Sequence, residues 1–287
     1  MNFTNKITQK AALGFIIVAL LSLSGVAAAG AAKYHLWNPK SNIAPEPDFL
    51  AASSCVAGTN GGYSCDNPCV TPTLTWPVFA NSVGCTTFVL EAIDRARHIE
   101  GLGPMILPKN WYDLSRGEQL FVVVNLERTA RGLPAYLGIN TALSAEALRA
   151  AAKGDDPGLA TNFLVATNPQ GYPAMGAAWS GGFSALTADY IWMYDDGWAG
   201  SVSATSNIAC TSPGSKGCWA HRDELLGSDP GYNPGVGLYC NNCEVGVGVT
   251  TWSGGGSWVE LIEKPKNKPP AMTYTWTKVR QASKANR

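Results

Sequence analysis

The chain has 287 residues, of which 21 are Lys or Arg and 21 are Asp or Glu, so its formal net charge is zero. This balance hides a split, because residues 33–262 carry 12 basic and 20 acidic side chains, whereas residues 263–287 carry seven basic and one acidic. An acidic body without a basic stripe among its aromatics excludes nucleic acid as a partner.

The first 32 residues have the pattern of a targeting segment. Lys6 and Lys10 precede an uncharged run over residues 11–32, and Ala27-Ala28-Ala29 fits an Ala-x-Ala cleavage signal. The run is also about long enough to span a bilayer, so an uncleaved membrane tether through residues 11–32 is the alternative to a signal peptide. Both alternatives export the rest of the chain, and we expect a secreted or cell-surface, extracytoplasmic protein.

Residues 33–54 contain three prolines and are predicted to be an extended linker. A cysteine-rich and helical N-terminal extension over residues 55–115 follows, with a helix from Thr86 to Glu100 that ends at Gly101. Basic residues close this helix, and a similar acidic-basic run, Glu127 to Arg131, closes the next one. We interpret both runs as cations placed at helix C-termini.

The second predicted helix has a stronger start signal. Ser115 and Glu118 have the spacing of a capping box, and Gly132 with Pro134 ends the helix. A third helix is predicted from Ala142 to Lys153, with Gly154 as its stop.

Residues 154–183 are rich in Gly, Pro and Asn and are predicted to be loop, followed by a short helix or a buried turn from Leu186 to Tyr194. Strands are predicted over residues 235–239, 245–249 and 258–262, and Cys240-Asn241-Asn242-Cys243 would form the turn between the first two. Early helices and late antiparallel strands indicate an α+β layered domain.

Eight cysteines fall into two distant groups of four. An exported chain favours two local disulfides within each group, and each group allows three pairings, which the sequence leaves open. The alternative is a zinc site in the second group, although only the last two cysteines there have ligand-like spacing. The groups consist of Cys55, Cys65, Cys69 and Cys85, and of Cys210, Cys218, Cys240 and Cys243.

Two motifs and their order carry a resemblance to a known family. Asn125-Leu126-Glu127-Arg128 runs on to Gly132-Leu133-Pro134, and about 90 residues later come Trp219-Ala220-His221-Arg222 and a Gly-Val-Gly strand. This order resembles the CAP superfamily (cysteine-rich secretory, antigen-5 and pathogenesis-related proteins), in its bacterial SCP-like extracellular branch, over residues 116–262. The resemblance implies an α-β-α sandwich with an antiparallel sheet, preceded by the disulfide-rich extension and followed by the basic tail, residues 263–287.

The resemblance also implies a cleft lined by two histidines and two acidic residues, which in some members holds a divalent metal. His221-Arg222-Asp223-Glu224 matches the family's later His-Arg-x-Asn segment, with Glu224 where Asn is usual. The family's first histidine is absent, and Gly176-Ala177-Ala178-Trp179 takes the place of its Gly-Glu-Asn segment without the acid. Trp192 stands where the family has a Trp before its His segment.

His221 and Glu224 are therefore the candidate catalytic residues, and His221, Asp195 and Asp196 are the candidate metal ligands. A carboxylate from Asp195 or Asp196 close to His221 would orient the imidazole and raise its basicity. The structural alternative is a helix start in which His221 binds backbone and Arg222 pairs with a carboxylate. Asp195-Asp196-Gly197 with Asn207 also suggests a calcium loop, although its spacing is not that of an EF-hand. Zinc and calcium are the candidate cofactors.

Four aromatic residues lie within about 40 residues around the predicted cleft. Exposed aromatics stack on sugars or cover a lipid tail, whereas buried ones fill the space between helices and sheet, and both alternatives stay open. The residues are Trp179, Trp192, Tyr194 and Trp219.

These observations predict a non-catalytic binding or surface-interaction module for a small apolar ligand, a wall polymer or a surface protein. The alternative is a degenerate metal-dependent or His-based hydrolase that uses His221 with nearby carboxylates. A buried His221 with no carboxylate within about 4 Å would exclude the hydrolase. For the basic tail we expect a solvated terminus, with contact to anionic lipid or wall polymer as the alternative.

Overall fold

The structure is a computed structural model, and it describes most of the compact unit Tyr34–Arg287. The described residues are 38–51, 54–57, 59, 63–69, 81–154, 176–201, 203–215, 217–226, 242–252, 255–263 and 271–284. The predicted targeting segment, the strand over residues 235–239 and most of its turn lie outside them. No helix within the described ranges is long and apolar enough to cross a membrane.

Six α-helices occur in the described residues, and local signals set their ends. In the capping box, the Ser115 backbone N–H donates to Glu118 Oε2 at 2.8 Å and the Glu118 N–H donates to Ser115 Oγ at 3.3 Å. Gly154 ends the third helix at φ +67°, a conformation that glycine adopts without steric cost. The helices are α1 Val83–Ile99, α2 Arg116–Ala130, α3 Thr141–Lys153, α4 Ala185–Tyr194, α5 Ala220–Leu226 and α6 Trp276–Lys284.

The strands form a two-stranded ribbon and a five-stranded sheet. The strands are β1 Cys55–Ala57, β2 Tyr63–Cys65, β3 Gly138–Asn140, β4 Gly176–Gly182, β5 Glu244–Trp252, β6 Gly255–Glu263 and β7 Met272–Thr275. The ribbon pairs β1 with β2, and the sheet has the order β4-β6-β5-β3-β7. The predicted helices and the last two predicted strands are thus present, and the fold is α+β.

The expectation of an antiparallel sheet is wrong, because the sheet is mixed. Ile139 in β3 pairs with Val245 in β5 in parallel, whereas the other pairs are antiparallel. Parallel pairing requires a long crossover between the two strands, and α3 lies on the connection that leaves β3.

The loop predicted over residues 154–183 is also partly wrong, since β4 occupies Gly176–Gly182, seven of its last eight residues. All seven pair with β6, from Gly176 opposite Ile262 to Gly182 opposite Gly256. The seven residues of this strand include three glycines and two alanines, so it lacks the apolar alternation that marks a strand in sequence. The long partner β6 supplies the pairing that its own composition does not favour.

The basic tail is folded over residues 271–284 rather than solvated. β7 adds to the edge of the sheet beside β3, and the side chains of Tyr274 and Val279 are buried. The basic residues Lys278 and Arg280 remain on the exposed side of α6. Alternation between buried apolar and exposed basic positions explains why the charge of the tail concealed its fold.

Two apolar clusters pack on the five-stranded sheet. The smaller one joins α3 to Val259 and Leu261 of β6, and the larger one joins α2 and α4 to Trp258 and Ile262 of the same strand. Adjacent residues of a strand point to opposite faces, so helices cover both faces of β6.

The predicted linker also packs on this core where it is described. Phe49 is buried, with its ring centroid 5.1 Å from that of Tyr190. The Ile43 backbone N–H donates to the carbonyl oxygen of Tyr194 at 2.8 Å. Residues 38–51 therefore form part of the domain that follows them.

Three disulfides are local, as the cysteine grouping predicted: Cys55–Cys65, Cys69–Cys85 and Cys210–Cys218. Cys243 is disulfide-bonded as well, and Cys240 lies outside the described residues. A zinc site built from the second group is excluded, because the sulfurs of Cys210, Cys218 and Cys243 are already in disulfides. The disulfides are consistent with an extracellular protein.

Candidate functional site

The two sequence motifs meet near the C-terminal end of α5. Arg128 of α2 donates from Nη1 to the carbonyl oxygen of Leu225 at 2.5 Å and from Nε to that of Pro134 at 2.9 Å. Tyr136 Oη donates to the same Leu225 oxygen at 2.9 Å. The Asn125–Pro134 segment and the Trp219–Leu226 segment therefore pack directly against each other.

The carboxylate of Asp196, just after α4, is the centre of the candidate site. His221 Nδ1 and Asn207 Nδ2 each lie 2.7 Å from its Oδ1. Its Oδ2 accepts from the backbone N–H of His221 at 2.9 Å and from that of Arg222 at 3.2 Å. One carboxylate therefore caps the first turn of α5 and orients the imidazole.

Asp196 and His221 differ in how far their side chains are exposed to solvent. The side chain of Asp196 is 1% exposed and that of His221 is 16% exposed. Burial raises the pKa of Asp196, while the His221 ring and the backbone donors oppose that rise. Because Nδ1 is bound to the carboxylate, acid–base chemistry of this imidazole proceeds through its other nitrogen, Nε2.

The other candidate acids serve different partners. Asp195 Oδ2 accepts from Ser206 Oγ, and burial raises the pKa of Asp195. Glu224 Oε2 accepts from the backbone N–H of Ala177 at 3.1 Å and so ties α5 to β4. Asp195, Asp196 and Glu224 therefore do not converge on one point.

This donor set does not fit a zinc or calcium site. The Asp196 oxygens accept from N–H groups, whereas a cation needs oxygens that face it together. Within the ranges that the structure describes, no three His, Cys, Asp or Glu side chains form a potential metal site.

Arg222, the neighbour of His221, enters a buried ionic network instead. Its Nη2 lies 2.8 Å from Glu100 Oε1, and Arg131 Nη2 lies 2.6 Å from Glu100 Oε2. Arg131 also pairs with Glu127, whose Oε2 lies 2.9 Å from Arg97 Nη1. The network connects α1, α2 and α5, and every side chain in it is almost fully buried.

The charges of this network stabilise one another. Burial alone would raise the pKa of Glu127, but Arg131 and Arg97 hold it below its usual value. Tyr194 Oη donates to Glu127 Oε1 at 3.0 Å, which satisfies the second carboxylate oxygen. The sequence predicts Arg97 and Arg131 as cations at helix C-termini, and the structure places both in buried ion pairs with glutamates. The acidic residues at the same helix ends, Glu100 and Glu127, are the sequence signal for these pairs.

Two more buried carboxylates were not anticipated from the sequence. Asp189 of α4 and Glu260 of β6 are both fully buried, and neither has a hydrogen-bond partner among the described residues. Burial and then the charge of Glu127 raise the pKa of Asp189 well above its usual value. Burial also raises the pKa of Glu260, and the Arg128 guanidinium opposes that rise.

The aromatic residues mostly belong to the core. Trp192 and Tyr194 are completely buried and Trp219 is 7% exposed, so these three do not present ring faces for stacking. Trp179 is half-buried, and its Nε1 donates to Ser257 Oγ at 2.6 Å. The core alternative describes Trp192, Tyr194 and Trp219.

An apolar groove of about 540 Å³ lies beside α6, and none of the four candidate aromatic residues lines it. Its lining residues are Ile106, Pro108, Leu126, Trp276, Val279, Arg280 and Ser283.

Comparisons of the chain with protein-family models, with curated proteins and with solved structures found no match. The resemblance to the CAP superfamily therefore stays a prediction from the motifs.

Proposed function

We propose that this is an exported hydrolase in which His221, oriented by Asp196, acts as the general base. The observation that carries the proposal is the 2.7 Å contact between His221 Nδ1 and Asp196 Oδ1 beneath a partly exposed imidazole. A carboxylate at this distance fixes the ring orientation and stabilises the imidazolium that forms when the base takes a proton.

We take water as the nucleophile in this proposal, and the described cysteines are all in disulfides and so do not supply a thiolate. His221 Nε2 takes a proton as the water oxygen bonds to an electrophilic carbonyl carbon. The proton then passes from Nε2 to the leaving group as the carbonyl–leaving group bond breaks, which restores the neutral imidazole. Asp196 stays ionised throughout and balances the transient positive charge.

We also propose that the domain has the CAP-type layered arrangement, with helices on both faces of the sheet. The contact between the two family motifs and the packing of α3 opposite α2 and α4 support it. The local disulfides and the N-terminal apolar run support an extracytoplasmic location.

The experiment measures hydrolysis of p-nitrophenyl acetate, butyrate and octanoate by the full-length protein purified under oxidising conditions. We expect His221→Gln to reduce turnover by about 100-fold or more, since a general base contributes that much. His98→Gln is the matched control, because His98 is exposed on α1. The hydrolase proposal fails if the wild-type protein hydrolyses no ester faster than buffer does, or if His221→Gln equals wild type.

A second candidate function, capture of a small apolar ligand with an acidic group, is favoured by the groove beside α6. Its apolar lining would hold a hydrocarbon chain, and Arg280 would pair with a carboxylate at the end of the chain. Titration with oleate, followed by Trp fluorescence, should show saturable binding that Arg280→Ala weakens. Lys278→Ala is the control, since Lys278 is exposed on the same helix and does not line the groove. Equal affinity in wild type and Arg280→Ala would reject this binding mode.

A further inference from the structure

In the chain between α4 and α5, the side-chain amide of Asn207 binds Asp196. Asn207 is buried, and its Nδ2 approaches three oxygens: Asp196 Oδ1 at 2.7 Å, Asp196 O at 3.2 Å and Gly217 O at 2.6 Å. Its Oδ1 accepts from the Ala209 backbone N–H at 2.9 Å. The Asn207 amide is therefore fixed at both ends, and it connects the carboxylate to the far side of its own loop.

The Cys210–Cys218 disulfide closes that loop at the same place. Its cysteines are 8 positions apart, Cys210 N donates to Asn207 O at 3.0 Å, and Cys218 directly follows Gly217. The two sides of the loop touch so closely that a Cβ on Gly217 would lie 2.0 Å from the Ala209 carbonyl oxygen. The covalent link thus keeps the Gly217 carbonyl within reach of the Asn207 amide.

A carboxylate can rotate about its Cβ–Cγ bond unless both of its oxygens have fixed partners. The α5 backbone donates to Asp196 Oδ2, and the Asn207 amide donates to Oδ1. This arrangement aligns Oδ1 with His221 Nδ1 before any substrate binds, and such prior alignment is a general requirement of acid–base sites.

We propose that Asn207 is a positioning residue for the His221–Asp196 pair and that the Cys210–Cys218 disulfide keeps it in place. This inference deepens the proposed function and rests on it. Reduction by a dithiol would transfer two electrons and two protons to the disulfide, leave two thiols and convert the dithiol to its own disulfide. The open loop then releases Gly217 from Asn207, so the pair is aligned only when the bond is oxidised.

The test is a long-range ¹H–¹⁵N spectrum of the imidazoles in the full-length protein at neutral pH. Three histidines give three signals, and His221→Gln assigns the relevant one. We expect wild-type His221 to be the Nδ1–H tautomer. Asn207→Asp, which keeps the shape and removes the donor, and the double variant Cys210→Ser with Cys218→Ser should both convert it to a tautomer mixture. We also expect both to lower any ester turnover by about 10- to 100-fold.

The matched control is the double variant Cys55→Ser with Cys65→Ser, which removes a disulfide of the same local type from the β1–β2 ribbon. It should leave the His221 tautomer unchanged. A near-UV circular dichroism spectrum equal to that of wild type verifies that each variant is folded, and Asn207→Ala is the second variant where Asn207→Asp fails that check. A wild-type tautomer in the folded Asn207 and Cys210/Cys218 variants overturns the inference. The tautomer is measured without a substrate. The spectrum therefore tests the positioning role of Asn207 even if the protein hydrolyses none of the esters and the hydrolase proposal fails.

Discussion

His221 and Arg222 are adjacent on α5 and enter two very different polar regions. Arg222 lies in a network of three arginines and two glutamates in which no side chain is more than 4% exposed. His221 reaches the buried carboxylate of Asp196, and 16% of its side chain remains exposed. Two adjacent residues therefore belong to different environments: Arg222 to a buried network of charged side chains, and His221 to a partly exposed site with a titratable imidazole.

The difference between these two regions indicates that the ion-pair network stabilises the fold, whereas the His221–Asp196 pair is suited to proton transfer. In the network, each charge is compensated only by its partners, so removal of one leaves another uncompensated in an apolar interior. Guanidinium groups also stay protonated, which makes them poor proton carriers. An imidazole on one buried carboxylate exchanges a proton near neutral pH while the carboxylate keeps its position. We therefore expect the network to hold α1, α2 and α5 together and His221 to react.

The strongest way to break the network is Glu127→Ala. This variant leaves Arg97 and Arg131 without their shared carboxylate, and we expect the free energy of unfolding to fall by about 3–5 kcal/mol. Urea denaturation measures the loss. Glu91→Ala, on the exposed face of α1, is the control and should change stability by less than about 0.5 kcal/mol. Equal stability of the two variants would remove the structural role from the network.

Gly248→Ala sharpens the comparison by damaging the fold away from both polar regions. Its Cβ would lie 2.1 Å from the carbonyl carbon of Ala147, so α3 must move away from β5, at a cost of about 1–3 kcal/mol. Thermal unfolding should occur at a lower temperature than in wild type. Ester turnover, measured at a temperature where the variant is folded, should equal that of wild type. Gly103→Ala has open space and serves as the control. A stable Gly248→Ala variant would contradict the close approach of α3 to the sheet.

Asp189→Asn tests whether a buried carboxyl group without a hydrogen-bond partner makes the stability of the protein fall as pH rises. Since the pKa of Asp189 is raised in the folded state, the unfolded chain loses this proton first as pH rises above about 4, and wild-type stability falls until the folded pKa is passed. Asn does not ionise, so the variant should lack this decline. We expect its stability relative to wild type to improve by about 1 kcal/mol or more between pH 4 and pH 8.

Urea denaturation at both pH values measures this change. The opposite sign, with Asp189→Asn losing stability relative to wild type as pH rises, would show that Asp189 is ionised and paired in the folded protein. Asp113→Asn is the control, because Asp113 is exposed at the end of the short 3₁₀-helix Trp111–Asp113.

The smallest effect is expected at the surface. Arg95 Nη2 lies 3.0 Å from Glu46 Oε2, but both side chains are more than half exposed. Arg95→Ala should lower the free energy of unfolding by about 0–1 kcal/mol, and salt should reduce that difference further. A loss as large as that of Glu127→Ala would show that burial does not distinguish the two kinds of ion pair.

Local signals made much of the fold predictable. The Ser115–Glu118 box and Gly154 are read from a few neighbouring residues, and the helices that they delimit agree with the structure. The β4 strand and the parallel β3–β5 pair were not predictable in the same way, because distant partners create them. Composition misled at the C-terminus, where basic residues concealed the buried Tyr274 and Val279.

The candidate site was only partly predictable. His221 was identified from its motif, and Asp196 was one of two acids that chain folding was expected to bring near it. Nothing in the sequence distinguishes Asp195 from Asp196, because the choice depends on the hydrogen bonds of Asn207 and on the turn through Trp219, which has φ +64°. The burial of Asp189 and Glu260 follows from tertiary packing alone.

The measurement that tests the central claim most directly is a paired determination of ester turnover and unfolding free energy on the same preparations of wild type and His221→Gln. Our account predicts that turnover falls about 100-fold or more while the unfolding free energy stays within about 1.5 kcal/mol of wild type. Full turnover in the folded His221→Gln variant would contradict the account. A His221→Gln variant that loses turnover together with several kcal/mol of unfolding free energy, as expected for Glu127→Ala, would contradict it as well.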